Sequence, residues 1–345
     1  MARIAVVGVG AIGGVIASLL HLAGRHQITL CTRRPLGQLI VRTTTADIQV
    51  DANNLTDPTL AVPADQSRVP QVPRTWEPGS QQPPTLPVDW VIVATKTYDT
   101  EGAARWVQPL ASSGAPVAVI QNGVEHRERF ASIVPPDRTL PVIIDCPVER
   151  RPDGLVVQRG DVKMNVEAGT LGTEFASLFT PSIAGTELLS ESLATSNHGQ
   201  FEVRFTSSTV TIDLTEDFLT AAWRKLCFNS AGAISALTLQ PAGVLRDPEF
   251  AAAAAGIVNE CAAVARALGA HLDPNIAQQV IDGYRAQPFD SVNSMLADRL
   301  AGRPMEIDAR NGVIVRKAES LGIPTPLNRL MVALLRASTQ PTPSA

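Results

Sequence analysis

Short, unbroken apolar runs alternate with a helical pattern in the first part of the chain. Runs rich in β-branched residues occupy 3–9, 27–33, 89–95 and 116–123, and apolar residues recur at helical spacing over 11–24. Unbroken runs of this kind are typical of strands in a parallel sheet that is covered on both faces. The alternation of strand and helix therefore predicts an α/β, doubly wound domain.

From about Arg138 to Ile212 the pattern predicts further strands and turns, in the segments "TLPVIIDCPVER", "GLVVQRG", "VKMNVEAG" and "QFEVRFTSS". After Thr215 the spacing of apolar residues becomes helical. Helices are predicted over Glu216–Thr238, Pro248–Leu268, Asn275–Ala286, Ser291–Ala301 and Met305–Leu321. Gly269 and Gly322 each follow such a pattern, and a glycine in that position commonly ends a helix.

The glycine spacing near the start of the chain predicts a dinucleotide site. "VGVGAIGG" places Gly8, Gly10 and Gly13 between a predicted strand and a predicted helix. In a GxGxxG turn the first glycine permits the tight turn, the second lets the backbone approach a pyrophosphate, and the third allows close helix–strand packing. N–H groups at the start of the helix then face the phosphates. The alternative is that these glycines serve packing alone.

The end of the second predicted strand distinguishes the two nicotinamide dinucleotides. A site for NAD usually carries an acid there, which binds the ribose 2′-hydroxyl. This chain has "LCTRRP" instead, with Arg33 as the first candidate and Arg34 as a supporting one. Guanidinium groups suit a 2′-phosphate, so the sequence predicts NADPH/NADP+. The alternative is that both arginines are ordinary surface charges.

These patterns together predict an N-terminal Rossmann-type domain followed by a mainly helical C-terminal domain. The first domain spans 1–214 and is expected to bind the dinucleotide, and the second spans 215–338. A proline-rich stretch at 57–87 has no periodicity and is expected to be a surface excursion. Residues 339–345 form a polar tail.

Composition excludes several other classes of protein. The 345 residues are 45% hydrophobic and carry a net charge of −4 without a long basic run, which disfavours nucleic-acid and membrane-surface binding. No apolar run is long enough to span a bilayer, and no signal peptide is expected. The four cysteines, Cys31, Cys146, Cys227 and Cys261, form no CxxC pair and are expected to be reduced thiols in a cytoplasmic protein.

Polar residues follow two of the predicted parallel strands. Lys96 follows "VIVAT", and Asn122 follows "VAVIQ". Ligands of open α/β sheets bind beyond the carboxyl ends of the strands, so both side chains are candidates for ligand contacts. Each also has a plain interpretation, because a strand-end lysine can be a solvated turn residue and Asn-Gly is a common turn pair.

Lys225 and Asn229 lie one turn apart on one face of a predicted apolar helix. An ammonium there could stabilise the negative charge that develops on a carbonyl oxygen and donate the proton. The alternative is a lysine that extends to water from an amphipathic helix. The five histidines are scattered, and His198 is expected to be a loop residue, so no metal site is predicted.

The chain resembles the ketopantoate reductase (2-dehydropantoate 2-reductase) family. The matching segments are the glycine loop, "TKTYDT" at Thr95–Thr100, "QNGV" at Gln121–Val124, "WRKLCFN" at Trp223–Asn229, and the long segment from Ser294 to Asn328. Their order and approximate spacing agree with the family over nearly the whole chain. The resemblance implies NADPH-dependent reduction of the small anionic 2-keto acid ketopantoate to pantoate, in pantothenate and coenzyme A biosynthesis.

The resemblance also implies roles for individual residues. Lys225 would be the general acid, Glu306 and Ser294 would bind the substrate, and Asn122 and Asn229 would line the substrate site. The second predicted domain, 215–338, would thus hold most of the substrate and catalytic groups, with Lys225 and Glu306 as the catalytic residues. Plainer interpretations stay open for Glu306, as a charge in the first turn of a helix, and for Ser294, as a surface hydroxyl.

The same resemblance implies contacts with the cofactor. Arg33 would bind the 2′-phosphate, and Lys96 would lie near both cofactor and substrate. The remaining expected cofactor contacts are the loop residues Gly8, Gly10, Ala11, Ile12 and Gly13, together with Asn122.

Two positions depart from the family pattern. Ala233 and Ser291 stand where the family usually has asparagines on the substrate side. Both changes leave the chemistry in place and leave open a different 2-keto acid as substrate. A further alternative is a non-catalytic NADPH-binding sensor, which would need the glycine loop and Arg33 but neither Lys225 nor Glu306. A homodimer formed through the alanine-rich helix is also an open alternative.

Overall fold

The computed structural model describes residues 1–58, 87–181 and 199–339. Most of the proline-rich stretch predicted at 57–87, the loop residue His198, and the tail beyond 339 lie outside the described residues. The chain forms two compact units. Unit 1 comprises Met1–Gln121 and His126–Glu216, and unit 2 comprises Asn122–Glu125 and Asp217–Ala345. The four residues Asn122–Glu125 therefore belong with the helical part of the chain, whereas the sequence-based division assumed two contiguous domains.

Unit 1 is built around β-strands. Within the described ranges they are β1 (Ala2–Val7), β2 (His26–Cys31), β3 (Leu39–Arg42), β4 (Asp47–Val50), β5 (Asn53–Leu55), β6 (Trp90–Val93), β7 (Val117–Val119), β8 (Thr139–Asp145), β9 (Val148–Arg150), β10 (Val156–Gln158), β11 (Val162–Glu167), β12 (Gln200–Phe205) and β13 (Ser208–Thr215). The helices of this unit are α1 (Ala11–Leu22), α2 (Thr100–Ala111) and α3 (Thr170–Ser177).

The main sheet has the strand order β12-β13-β11-β8-β7-β6-β1-β2-β5. The strands from β8 to β5 in this order pair in parallel, and β1 pairs β2 in the register Ile4 to Ile28. Beyond β8 the sheet turns antiparallel where β11 pairs β8. The structure thus confirms the predicted α/β fold with an N-terminal parallel sheet.

The side chains of β1 explain why its sequence is apolar without alternation. Ile4 and Val6 pack into one buried cluster, together with α1, and Ala5 and Val7 pack into a second cluster on the other face, together with α2. Successive residues of a strand point to opposite faces of a sheet. Both faces of β1 are therefore buried, as its unbroken apolar run predicts.

A second sheet of unit 1 was not predicted. It has four strands in the order β4-β3-β10-β9, with β3 and β10 in parallel. Gly14 of α1 lies against it, and a Cβ atom at that glycine would stand 2.9 Å from a methyl group of Val156. The strands β3 and β4 are only four residues long each, which is too short for a periodicity to be distinct.

Unit 2 is helical, as predicted. Its helices within the described residues are α4 (Phe218–Ala231), α5 (Ala233–Thr238), α6 (Pro248–Ala267), α7 (Ile276–Ala286), α8 (Ser294–Leu300), α9 (Val313–Leu321) and α10 (Pro326–Ala337). Gly269 and Gly322 have φ angles of +94° and +68°, which suits their predicted role after helix ends.

Two predicted helices of unit 2 differ from the structure in detail, and one helix was missed. The run predicted over Glu216–Thr238 is divided at Gly232 into α4 and α5. The run predicted from Met305 begins as a π-helical segment at Asp308–Gly312 before α9. The helix α10 was not predicted at all, although Pro326 at its first position and its amphipathic pattern are signals for a helix.

One apolar helix corrects an expectation drawn from the sequence. By length and composition alone α6 is long and apolar enough to cross a membrane, whereas no such run was expected. The core helix of a soluble protein meets the same criteria. Ile257, Val258 and Cys261 of α6 are buried in the core of unit 2, and Glu260 accepts hydrogen bonds from the backbone of α10.

All four cysteines are free thiols. Cys31, Cys227 and Cys261 are buried, and burial raises the pKa of Cys31 to about 12. A buried thiol with a raised pKa is a poor nucleophile, so Cys31 serves as a small core residue.

Candidate functional site

The glycine loop of unit 1 gives each of its three glycines a separate structural reason. Gly8 has φ +91°, and a Cβ atom there would lie 2.7 Å from the backbone nitrogen of Thr95. A Cβ atom at Gly13 would lie 2.1 Å from the carbonyl oxygen of Gly8. A Cβ atom at Gly10 would meet nothing within 4 Å. Packing therefore explains Gly8 and Gly13 but not Gly10, whose bare backbone leaves room for a ligand.

The helix α1 begins directly after Gly10, with Ala11 and Ile12 as its first residues. The first N–H groups of a helix have no acceptor within the helix, and the helix dipole favours an anion beside them. The first turn of α1 carries no acidic residue that could occupy this position. The loop and the helix start therefore fit the pyrophosphate of a dinucleotide.

The residues that follow β2 are basic and exposed. Arg33 and Arg34 both face solvent, and the Arg33 side chain is 80% exposed. Its Nη1 lies 3.5 Å from Oδ1 of Asp99, a long contact that leaves the guanidinium free to bind another anion. The structure thus places an exposed cation directly after β2, as the sequence predicts.

The loop after β6 is fixed by a buried amide. Gln121 is 3% exposed, and its Nε2 donates to Oγ1 of Thr95 at 2.9 Å and to the carbonyl oxygen of Lys96 at 3.4 Å. Lys96 itself is half-buried at the start of the following 3₁₀ turn. Gln121 is the first residue of the segment "QNGV", and the sequence alone indicates no role for it. The structure shows that it holds the segment that carries Lys96.

In unit 2, the helix α4 carries Lys225 and Asn229. Asp217 caps this helix by accepting a hydrogen bond from the Thr220 N–H at 3.0 Å. The helix buries a stripe that includes Trp223, which is 1% exposed. Lys225 and Asn229 lie beside that stripe, and both are half-buried. Their spacing of four residues puts them on one face of the helix.

A buried carboxylate lies next to a predicted substrate residue. Glu306 is 4% exposed, and its Oε2 accepts a hydrogen bond of 2.8 Å from Nδ2 of Asn122. The segment of Asn122 is also fixed at its other end, because Glu125 accepts a hydrogen bond of 2.9 Å from Arg316. The structure thus brings Asn122 and Glu306 together although 184 residues separate them.

A second contact joins two further predicted residues through one that the sequence did not single out. Arg310 is 3% exposed, its Nη2 donates to Oγ of Ser294 at 2.7 Å, and its Nη1 donates to the carbonyl oxygen of Asn229 at 3.5 Å. Ser294 is exposed at the start of α8. The signal available in the sequence is the spacing of four residues between Glu306 and Arg310, which is one helical turn.

The two positions that depart from the family pattern differ in their surroundings. Ala233 is fully buried in the core of unit 2 at the start of α5. Ser291 is half-buried, and its carbonyl oxygen accepts a hydrogen bond of 2.8 Å from the N–H of Ala242. A side chain longer than alanine at 233 would have to displace core atoms.

His271 and Asp308 each pair with another side chain of unit 2. His271 donates from Nδ1 to Oδ2 of Asp217 at 2.8 Å, a pairing across 54 residues that the scattered sequence positions did not suggest. Asp308 forms an ion pair with Arg316. In the described ranges, no three His, Cys, Asp or Glu side chains are grouped so that they could hold a metal ion.

The dinucleotide loop in a parallel sheet, together with a helical unit that carries a lysine, amides and a buried carboxylate, defines a nicotinamide-dependent oxidoreductase. Two family models identify the particular group. "Ketopantoate reductase PanE/ApbA" matches residues 4–170, and "Ketopantoate reductase PanE/ApbA C terminal" matches 217–339. The chain belongs to the ketopantoate reductase family, whose members reduce a 2-keto acid.

Curated relatives agree over the full length. A 2-dehydropantoate 2-reductase of Caulobacter vibrioides is 38% identical over 338 residues, which cover 98% of this chain and 99% of the relative. A 2-dehydropantoate 2-reductase of Mycobacterium tuberculosis is 34% identical over 336 residues, which cover 97% of each chain. These relatives support 2-dehydropantoate 2-reductase activity in general.

Solved structures show the same fold. A PanE/ApbA family ketopantoate reductase from Ralstonia eutropha is 26% identical with a TM-score of 0.74, covering 98% of both chains. A D-mandelate dehydrogenase solved with NADH and anilino(oxo)acetate has a TM-score of 0.75 at 18% identity over 98% of both chains. A dimeric ketopantoate reductase from Staphylococcus aureus has a TM-score of 0.74 at 19% identity, covering 98% of this chain and 99% of that one. At these low identities the last two show the fold alone.

Proposed function

We propose that this protein reduces ketopantoate to pantoate with NADPH, and that Lys225 is the general acid. The observation that carries the proposal is the buried Glu306 carboxylate held by Asn122, in the helical unit that also presents Lys225 and Asn229 from α4. A non-catalytic dinucleotide sensor would have no need of this arrangement. Membership of a reductase family supports the same conclusion.

The reaction adds a hydride to the carbonyl carbon of the 2-keto acid and a proton to its oxygen. The nicotinamide supplies the hydride when bound. As negative charge builds on the oxygen, the Lys225 ammonium stabilises it and donates the proton, and Asn229 orients the lysine or the substrate. Glu306, oriented by the bond from Asn122, accepts a hydrogen bond from a substrate hydroxyl. The exposed Ser294 hydroxyl donates to the substrate carboxylate.

The cofactor assignment rests on unit 1, apart from a proposed contact of Asn122, which belongs to unit 2. The open backbone at Gly10 and the start of α1 at Ala11 and Ile12 fit a pyrophosphate. Arg33 offers a cation for a 2′-phosphate, which favours NADPH over NADH. Lys96, held through its carbonyl by Gln121, is proposed to lie near the nicotinamide end, and Asn122 to contact cofactor as well as substrate.

The decisive experiment is steady-state NADPH oxidation with ketopantoate and a panel of bulkier 2-keto acids, for wild type and Lys225→Met. We expect ketopantoate to give the highest kcat/KM and the variant to lose about 10²- to 10⁴-fold in kcat, because a positioned general acid contributes about that much. The KM for NADPH should stay unchanged. Arg224→Met, which removes an exposed cation from the same helix, is the matched control and should keep wild-type kcat.

Other outcomes select the alternatives. A bulkier keto acid with the highest kcat/KM would keep the mechanism and make Ala233 and Ser291 the first specificity candidates. A wild-type protein that binds NADPH but reduces no keto acid would favour the sensor. An unchanged kcat in Lys225→Met would overturn the assignment of the general acid.

We further propose a cytoplasmic enzyme of pantothenate and coenzyme A biosynthesis that acts as a homodimer. Exposed leucines at 327, 330 and 334 lie along one face of α10, and a second copy of the chain could cover them. A ketopantoate reductase from Staphylococcus aureus with the same fold is itself dimeric. The alanine-rich α6 is less suited, because Ala254, Ala262 and Ala265 are already buried in the core of unit 2.

A further inference from the structure

Among the residues that the structure describes, the buried cation Arg310 forms hydrogen bonds only to neutral groups. It lies in the π-helical segment Asp308–Gly312 with 3% of its surface exposed. Its hydrogen bonds go to the Ser294 hydroxyl and to the Asn229 carbonyl, and its Nε is buried without a partner within the described part of the chain. A buried charge without a counter-charge is unfavourable. An anion bound close to Arg310 would recover much of that cost.

The neighbouring phenol does not neutralise Arg310. Tyr284 is buried, which raises its pKa to about 12, and its hydroxyl donates to the Phe228 carbonyl oxygen at 2.9 Å. At neutral pH the phenol is therefore uncharged. Tyr284 therefore supplies no counter-charge to Arg310.

The hydrogen bond from Arg310 to Ser294 has only one direction. A guanidinium has donors and no acceptor, so Oγ of Ser294 accepts the bond of 2.7 Å. The hydroxyl hydrogen of Ser294 must then point to another acceptor. Ser294 is exposed, so that acceptor is solvent or a ligand. A cation behind the oxygen also polarises the O–H bond, which makes Ser294 a stronger donor toward an anion.

The position of Ser294 is fixed from the other side. Asn293 caps α8 by accepting from the N–H groups of Met295 and Leu296, both at 3.0 Å. Its Nδ2 donates to the carbonyl oxygen of Gly232 at 3.0 Å. The residue before Ser294 is thereby tied to the turn between α4 and α5. Ser294 is held between this tie and Arg310.

We propose that Arg310, acting through Ser294, binds the carboxylate of the 2-keto acid and makes the enzyme select anionic over neutral substrates. The proposal rests on the proposed 2-keto acid reduction and adds a positioning residue to it. Arg310 donates to Oγ of Ser294 and so orients the Ser294 O–H toward the substrate. The positive charge of Arg310 attracts the carboxylate, and Ser294 makes the direct contact with it. The chemical group recognised is the carboxylate next to the reacting carbonyl.

The test compares ketopantoate with its neutral primary amide in wild type, Arg310→Met, Arg310→Lys and Ser294→Ala. In Arg310→Met we expect the KM for the acid to rise about 10- to 100-fold, which is the usual effect of losing a hydrogen bond that involves a charged group. The KM for NADPH should be unchanged, and the KM for the amide should change about threefold or less. Arg310→Lys keeps the charge and should restore part of the preference for the acid.

A double-mutant cycle separates this role from a structural one. If Arg310 acts through Ser294, the double variant Arg310→Met/Ser294→Ala should be no worse with the acid than Arg310→Met alone. Arg299→Met is the matched control, because Arg299 also donates to neutral oxygens, the carbonyls of Ala236 and Leu237. It should lower the melting temperature and leave the preference for the acid unchanged.

The outcomes for the two proposals are distinct. A wild-type enzyme that reduces no 2-keto acid overturns the proposed function and this assignment with it. A wild-type enzyme that reduces ketopantoate, while Arg310→Met and Ser294→Ala keep the full preference for acid over amide, overturns the role of Arg310 alone. If Arg310→Met does not fold, Arg310→Lys and Ser294→Ala decide by the same ratio.

Discussion

At the residue scale, Glu306 gains its candidate role from its surroundings. A glutamate near a helix start is ordinary in a sequence, since the helix dipole favours it there. In the structure it is 4% exposed and accepts a hydrogen bond from Asn122. A buried polar group destabilises the fold unless it forms hydrogen bonds. The bond from Asn122 therefore stabilises the buried Glu306 side chain. The resemblance to the family suggests both residues as candidates, but only the folded chain shows that Asn122 and Glu306 are in contact.

The proposed role of Arg33 leads to a prediction about the preference for NADPH over NADH. If its guanidinium binds a 2′-phosphate, Arg33→Ser should lower kcat/KM for NADPH about 10- to 100-fold, because a bond to a charged group is lost. The kcat/KM for NADH should change little, since NADH has a hydroxyl in that place. Steady-state kinetics with both cofactors measure the change in preference.

The control is Arg105→Ser, which removes a guanidinium that is 73% exposed on α2 and pairs weakly with Glu101. It should leave the ratio for the two cofactors at the wild-type value. An Arg33→Ser enzyme that keeps its full preference for NADPH would transfer the assignment to Arg34.

At the scale of elements, α4 shows how a helix presents chemistry from one face while it packs with another. Trp223 and Leu226 are 1% exposed, whereas Lys225 lies half-buried beside them. The N-terminus of α4 is fixed by Asp217, which accepts hydrogen bonds from the Thr220 N–H and from His271. The sequence predicted the helix from its apolar spacing. The pairing with His271 comes from tertiary structure, because the partners are 54 positions apart in the chain.

Asp217 gives a prediction about stability and pH. The hydrogen bond from His271, followed by the one from the Thr220 N–H, lowers the pKa of Asp217 below its usual value of 3.8. A carboxyl with a lowered pKa in the folded state stabilises the fold above pH 3.8, and this contribution is lost as the pH falls through the folded-state pKa. Asp217 also caps α4, and for that reason Asp217→Ala should cost about 0.5–2 kcal/mol at pH 7, the usual value of a lost N-cap.

The companion variant Asp217→Asn keeps a capping side chain without a charge. Urea unfolding at pH 7 and at pH 3 measures both effects. The difference between wild type and Asp217→Asn should shrink at pH 3, and the cost of Asp217→Ala should stay above that of Asp217→Asn at pH 7. Equal stability of all three proteins at pH 7 would contradict the capping role.

The π-helical segment Asp308–Gly312 is a second element that positions a candidate site residue. The N–H of Gly312 bonds to the carbonyl oxygen of Ile307 at 3.0 Å, five residues back. A Cβ atom at Gly312 would lie 2.9 Å from Oδ1 of Asp308, so glycine suits the wide turn. Such segments are frequent at functional sites. Here it carries Arg310, and helical periodicity in the sequence does not reveal it.

At the scale of the whole molecule, the exposed leucines of α10 give a prediction about assembly. Leu330 is 55% exposed on the same face as Leu327 and Leu334. If a second copy covers this face, Leu330→Glu should shift the protein from dimer to monomer, because a charge would have to be buried at the contact. Sedimentation or light scattering at micromolar concentration measures the mass. Leu300→Glu, at a leucine that is 61% exposed on α8, is the control and should stay dimeric. A wild-type monomer would end the proposal.

The two units differ in how much the sequence revealed about them. The parallel strands around β1 were predicted because both of their faces are buried, which leaves an unbroken apolar run. Short elements such as β3 and β4 gave no such signal, and α10 was overlooked beyond Gly322. Asn122–Glu125 belongs to unit 2, although the residues on either side of it in the chain belong to unit 1. Local patterns cannot show such an assignment.

The sequence by itself determined the dinucleotide loop, the basic end of β2, the helical second half and the family, because these depend on residues that are near one another in the chain. Tertiary structure alone decided that Gly10 has open space, that Asn122 bonds to Glu306, and that Arg310 bonds to Ser294. Burial and hydrogen bonding between distant segments arise only when the whole chain packs. Residues with suitable chemistry therefore form a site only when folding brings them together.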